Sequence, residues 1–152
     1  MAIDERSARN IATLHPELQP LATKLIETAV AQGINAKVIS GLRSYQEQNE
    51  LYAQGRTKPG KIVTKAKGGQ SWHNFGTAFD VGIFSADGKK YFGESPDYAK
   101  CGEIGQSLGL EWGGAWKGFR DEPHFQLKLG LSITQLHNRK MSGLDVVTGE
   151  PV

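Results

Sequence analysis

The sequence predicts a single α+β domain, residues 1–152, in which helices pack on one side of a small antiparallel sheet. Three observations point there. Apolar residues recur at helical spacing in several separate stretches, while short runs between them alternate with period two. Ser85-Ala-Asp-Gly88 has the composition of a tight turn between two strand-like runs, which favours a hairpin. A chain of 152 residues is long enough to bury about two-thirds of the surface it exposes when unfolded, so folding alone demands no metal.

Taken in order, Asp4 is placed to cap a short helix from Glu5 to about Thr13, and His15-Pro16 interrupts it because the residue before proline avoids helical backbone. From Pro16 to Gln32 the positions Leu18, Leu21, Leu25, Ile26, Ala29 and Val30 define a core-facing helix that Gly33 ends. Asn35 to Ser40 alternates as a strand. Ser44 and Glu47 form a capping box for a helix to about Gln54. Gly55 to Gln70 has no periodicity and carries Arg56, Lys58, Lys61, Lys65 and Lys67. It reads either as a solvated connection or as a basic flap that draws in an anionic ligand.

Ala78 to Phe84 is an apolar strand, followed by the turn and a partner strand through Tyr91 and Phe92. Pro96-Asp97 starts a helix to about Leu108 with Tyr98, Cys101, Ile104 and Leu108 on one stripe. Gly109 to Phe119 is glycine-rich with two tryptophans, suited either to binding sugar or peptide or to anchoring the loop in the core. Pro123 to Leu127 has strand alternation, and Leu131 to Lys140 predicts a last helix with His137 exposed on its polar side. The tail from Leu144 carries no recognisable chemistry and is expected to fray.

Composition excludes several classes. A charge of +2 is too mild to indicate nucleic acid. Cys101 is the only cysteine, so neither an intramolecular disulfide nor a thiolate cluster is available. No run of eighteen apolar residues occurs, and Met1-Ala-Ile-Asp-Glu-Arg lacks the basic start and apolar core of a secretory leader. These features predict a chain made in a cytoplasm, with no stable membrane insertion; a monomer is expected.

The chemistry concentrates in Ser71-Trp-His-Asn-Phe-Gly-Thr-Ala-Phe-Asp80. With period two, Asp80 lies on the small-residue side of its strand with Ala78 and Gly82, away from Phe79, Val81 and Ile83. A carboxylate there needs a cation or several donors, because an unpaired buried charge is costly. His73 and Asp80 make half a zinc site, and His124, three residues after Asp121, offers the third ligand. A hydrogen-bonded structural pair is the plainer reading of one histidine beside one aspartate. Ideal alternation would put Glu122, not Asp121, on the face of His124, but Pro123 breaks that alternation. Arg43, between a strand end and a helix start, is either an ordinary surface cation or a guanidinium aimed into a cleft.

Ser71-x-His73-x-x-Gly76-x-Ala78-x-Asp80 followed by Asp121-x-x-His124 resembles the signature of the M15 zinc peptidases, the D-alanyl-D-alanine carboxypeptidase family. In size and wording it is most similar to the branch of phage endolysins that are L-alanyl-D-glutamate peptidases. The resemblance covers about residues 5–128, leaving a C-terminal helix and tail at 131–152. It implies Zn2+ held by His73, Asp80 and His124 in a groove on the sheet face away from the helices. Asp121 would be the general base, chosen over Glu122, and Arg43 would contact the scissile carbonyl. The implied substrate is peptidoglycan, reached in the periplasm after holin-assisted release. Two alternatives stand beside it: a D,D-carboxypeptidase or D-Ala-D-Ala dipeptidase of the same family, and a non-catalytic zinc-containing wall-binding module.

Overall fold

The computed structural model describes residues 3–152; Met1 and Ala2, which open the stretch inspected for a secretory leader, lie outside it. Strands β1 (Asn35–Ser40), β2 (Ala78–Phe84), β3 (Tyr91–Phe92), β4 (Glu111–Trp112) and β5 (His124–Gln126) form one antiparallel sheet. Its order is β1-β2-β5-β4, with β3 paired to the end of β2. Helices α1 (Glu5–Ala12), α2 (Gln19–Ala31) and α4 (Asp97–Ser107) pack with it, while α3 (Tyr45–Ala53) and α5 (Ile133–Met141) lie elsewhere along the chain. The fold is α+β, as the sequence predicts.

Period two explains how the sheet is used. Phe79, Val81 and Ile83 are almost wholly buried and join Ala36, Val38 and Phe125 beneath Leu25, Ile26 and Cys101 of the helices. Each large apolar side chain buried this way contributes about 1.5–3 kcal/mol relative to exposure. The opposite face of β2 is therefore free to carry Asp80. Burial, followed by the nearby charge of Asp97, pushes the Cys101 thiol up to about 12, so it packs as a small hydrophobe.

Local signals set most boundaries. The Asp4 carboxylate accepts from Ser7 N at 2.8 Å at the start of α1, and Ser44 with Glu47 closes the capping box of α3. Helix α2 starts one turn later than Pro16: residues 15–18 form a separate turn, and Pro20 occupies the first turn of the helix, where a missing N–H costs nothing. The Gly109–Phe119 segment hides a strand, because two residues of β4 are too few to show alternation.

Two expectations near the C-terminus are corrected. His137 is not simply exposed: its Nδ1 lies 2.9 Å from the Tyr45 hydroxyl, and the rings stack at 5.7 Å. Nor does the tail fray in this structure. Asp145 accepts from the amides of Val147 and Thr148, Arg139 donates to the carbonyls of Val146 and Val147, and Leu144 bridges to Pro151. His15, 130 residues away in sequence, adds a bond to Asp145 that supports this order.

Candidate metal centre

His73 lies in a 3-10 turn, Trp72–Phe75, immediately before β2. Ser71 starts the turn by accepting from His73 N at 3.3 Å, and Asn74 reaches back so that its Oδ1 accepts from Gly69 N and Ser71 N. Ser71 thus acts on His73 through its backbone, not its imidazole. Gly76 ends the turn at φ +70°, in left-handed backbone, and an added Cβ would meet the amide of His15 at 3.0 Å. The turn redirects the chain straight into β2.

Strand register completes the cluster. Asp80 pairs across the ladder with His124 on β5 and with Ser40 on β1, so all three stand side by side on the face opposite the apolar core. Residues remote in sequence become neighbours because adjacent strands lie only about 4.8 Å apart. A bulge between Val38 and Ser40 turns the end of β1 toward Gly41 and Arg43.

The two imidazoles are held in defined tautomers. His73 Nδ1 donates to the Gly41 carbonyl at 2.9 Å, which leaves its Nε2 lone pair 3.3 Å from Asp80 Oδ1. His124 Nε2 donates to Gln126 Oε1 at 2.6 Å, leaving its Nδ1 3.4 Å from the same oxygen. Asp80 Oδ1 is buried and has no hydrogen-bond partner among the described residues. Burial opposes ionisation of Asp80, and positive charge between it and the two imidazoles, a proton or a metal ion, holds the carboxyl below its usual range.

Two lone pairs and a carboxylate oxygen converging on one point repel each other unless a cation lies between them. The spacing suits one, since ligands bound at about 2.0–2.1 Å to a tetrahedral ion stand about 3.3 Å apart. His73, Asp80 and His124 could therefore hold a metal ion. Their outer nitrogens already have the carbonyl partners that metal-binding imidazoles need.

Around the three lies a cleft of about 930 Å³. Asp121 lines it, held in a tight turn in which its amide donates to Gly113 O and its carbonyl accepts from His124 N. This turn lies outside β5, so strand alternation does not govern Asp121. Glu122 does not line the cleft; it borders a neighbouring depression with Gly93 and Glu94, which Asp121 also borders. Burial, and then the charge of Asp80, raise the Asp121 carboxyl above its usual range.

Arg43 also lines the cleft. Its guanidinium donates to Gln48 Oε1 at 3.0 Å, its amide donates to the His73 carbonyl at 2.9 Å, and its carbonyl accepts from Asn74. Arg43 is thus a half-buried, oriented side chain rather than a free surface cation. The two tryptophans divide the roles left open for them. Trp112 is buried and donates to Glu122 O, whereas Trp116 faces the cleft with its ring 5.2 Å from His124. Ile62, Val63 and Lys65 of the 55–70 loop form the opposite wall.

Alternation over Pro123–Leu127 puts Gln126 on the face of His124 without naming its partner, and no pattern marks Asn74 or buried Gln48. Nothing in a sequence reveals which carbonyl a buried amide will meet.

A family model described as D-alanyl-D-alanine carboxypeptidase matches residues 64–127. The chain is 43% identical over 122 residues to the peptidoglycan L-alanyl-D-glutamate endopeptidase CwlK of Bacillus subtilis (strain 168), covering 75% of this chain and 73% of that one. The chain belongs to the M15 metallopeptidase family. A further M15 relative, the L-alanyl-D-glutamate peptidase of a Listeria phage, is 27% identical over 132 residues, 80% of this chain but 40% of the phage protein. Among solved structures, the L-Ala D-Glu endopeptidase ChiX of Serratia marcescens aligns with a TM-score of 0.64 at 27% identity, covering 83% of this chain and 89% of that one. The L,D-carboxypeptidase DacB of a Streptococcus shares the fold, with a TM-score of 0.55 at 23% identity over 87% of this chain and 73% of that one. Among the described residues of this M15 chain, no helix is long and apolar enough to cross a membrane.

Proposed function

We propose that this chain is a zinc peptidase that hydrolyses the bond between L-alanine and D-glutamate in the peptide stem of peptidoglycan. The observation that carries the reading is the convergence of His73 Nε2, Asp80 Oδ1 and His124 Nδ1 in a cleft that Asp121 and Arg43 also line. Two imidazoles and one carboxylate suit zinc, and three protein ligands leave the fourth position that catalytic sites keep open. The CwlK relative at 43% identity supplies the choice of bond.

When bound, zinc supplies Lewis acidity that polarises a carbonyl and brings the pKa of a water toward about 7. The remaining work falls to the chain. Asp121, close to the three ligands and raised toward a proton-accepting range by burial, takes the proton of the attacking water and delivers it to the leaving amine. Arg43, its guanidinium fixed by Gln48, donates to the carbonyl oxygen as charge builds there. Trp116 and the Ile62–Val63 wall limit water around the scissile bond and hold the stem in line.

Mass spectrometry of fragments released from purified peptidoglycan tests the proposal directly. New L-alanine and D-glutamate ends are expected. Free D-alanine would instead identify a carboxypeptidase, and no product at all would leave a wall-binding module. For the biological setting, the sequence suggests a lysin released with a holin, and one phage relative supports it. The nearer similarity to a Bacillus protein favours a bacterial wall hydrolase of the same bond specificity as a second reading. Lysis timed to phage release, or turnover in an uninfected host, separates the two.

A further inference from the structure

The matched family region ends at residue 127, yet the segment beyond it grips the turn that carries His73. Phe75, the last residue of that turn, is buried in a small cluster with Leu136 of α5 and Val146 of the tail, and Trp72 packs against the same cluster. A second grip runs through the backbone. The His15 amide donates to Gly76 O at 2.9 Å. The His15 ring accepts from Glu17 N at Nδ1 and donates from Nε2 to the Asp145 carboxylate, at 3.0 Å from each oxygen. A third reaches the other side of the cleft: Tyr45, two residues after Arg43, meets Phe75 edge-on and bonds His137 of α5.

We infer that α5 and the 142–152 tail form a positioning element for the metal centre, with Asp145 as its key residue. The inference rests on the metal-site reading of His73. A 3-10 turn of four residues is weak by itself, so the direction of the His73 imidazole depends on what packs behind the turn. The tail supplies that backing at three points: an apolar plug on Phe75, a hydrogen-bonded clamp acting through His15 on Gly76, and a Tyr45–His137 contact that sets Arg43 against the same support. Asp145, His15, Leu136, Val146 and His137 do not line the cleft.

The test compares Asp145→Ala with Asp145→Asn in the full chain. Asparagine keeps an acceptor oxygen for Val147, Thr148 and His15, whereas alanine removes it. Zinc affinity is measured by competition with a chromogenic chelator, and the ligand geometry by visible absorption of the cobalt-substituted protein. Asp145→Ala is expected to weaken zinc binding about tenfold and to alter the cobalt spectrum, the low end of what loss of an outer support costs a metal site. Asp145→Asn is expected to restore most of both at a similar thermal midpoint. Deleting 142–152 should weaken binding further; where that chain does not fold, the Asp145 pair decides alone. Wild-type zinc affinity and spectrum in Asp145→Ala would overturn the inference while leaving the peptidase reading intact. A wild-type chain that bound no metal would remove both.

Discussion

Asp80 Oδ1 has the least ordinary position in the molecule: it is buried and flanked by two imidazole nitrogens, with no hydrogen-bond partner among the described residues. That arrangement is strained without a cation and satisfied with one. Two predictions belong at this scale. Replacing Asp121 by Asn is expected to lower kcat by at least about a hundredfold, the size of a lost general base, with zinc content at one equivalent by elemental analysis. Retained turnover there, together with loss in Glu122→Gln, would move the base to Glu122. For Arg43→Ala the loss should fall on kcat by about a hundredfold, the scale of one oxyanion donor, with little change in KM. Gln48→Leu should reproduce part of it, since Gln48 holds the guanidinium; an unaltered rate in both would return Arg43 to the surface.

At the scale of elements, the centre is made by β2 and β5 in register, with the 3-10 turn beside them and the end of β1 behind. Gly41 ties these parts together: its carbonyl accepts from His73, while α1 packs against its Cα so closely that a Cβ would lie 2.6 Å from Asn10 O. Gly41→Ala is therefore expected to cost about 1–3 kcal/mol through overpacking and to weaken zinc binding as the carbonyl shifts. Gly33→Ala is the control. That glycine has φ +83° but open space around it, so strain of about 1 kcal/mol should lower the denaturation midpoint with no effect on metal. Equal zinc affinity in the two variants would show that the Gly41 contact does not orient His73. This scale is also where sequence patterns were least complete. Runs of seven residues such as β2 display their alternation, but β4 has two residues and the 3-10 turn four, too short for any period to show.

For the whole molecule, the acid limit is set by carboxylates that folding stabilises in the ionised form. Backbone donation from Thr148, opposed by burial and reinforced by His15, brings Asp145 to about 2, and bonds from Ser7 and Lys37 overcome burial to lower Asp4. A depressed folded-state pKa adds stability above the unfolded value near 3.8 that is lost as pH falls through the folded value. In chelator-treated protein the urea midpoint should thus hold steady down to about pH 4 and fall between there and pH 2. Asp145→Asn should flatten that fall, and a midpoint in this variant as steep with pH as the wild type would remove Asp145 as a contributor.

By itself, the sequence determined the fold class, the helices that bury a stripe and the polarity of β2, and it offered His73, Asp80 and His124 as candidate ligands. Each of these follows from residue type and short-range spacing, which the local backbone geometry translates directly into faces. Only the tertiary structure decided that Asp121 rather than Glu122 lines the cleft, that Gln126 and Gly41 set the imidazole tautomers, that Trp116 rather than Trp112 faces the cleft, and that the tail closes on His15. Those outcomes depend on which groups meet in space, as much as 130 residues apart for His15 and Asp145, and a hydrogen bond carries no signature in its donor alone.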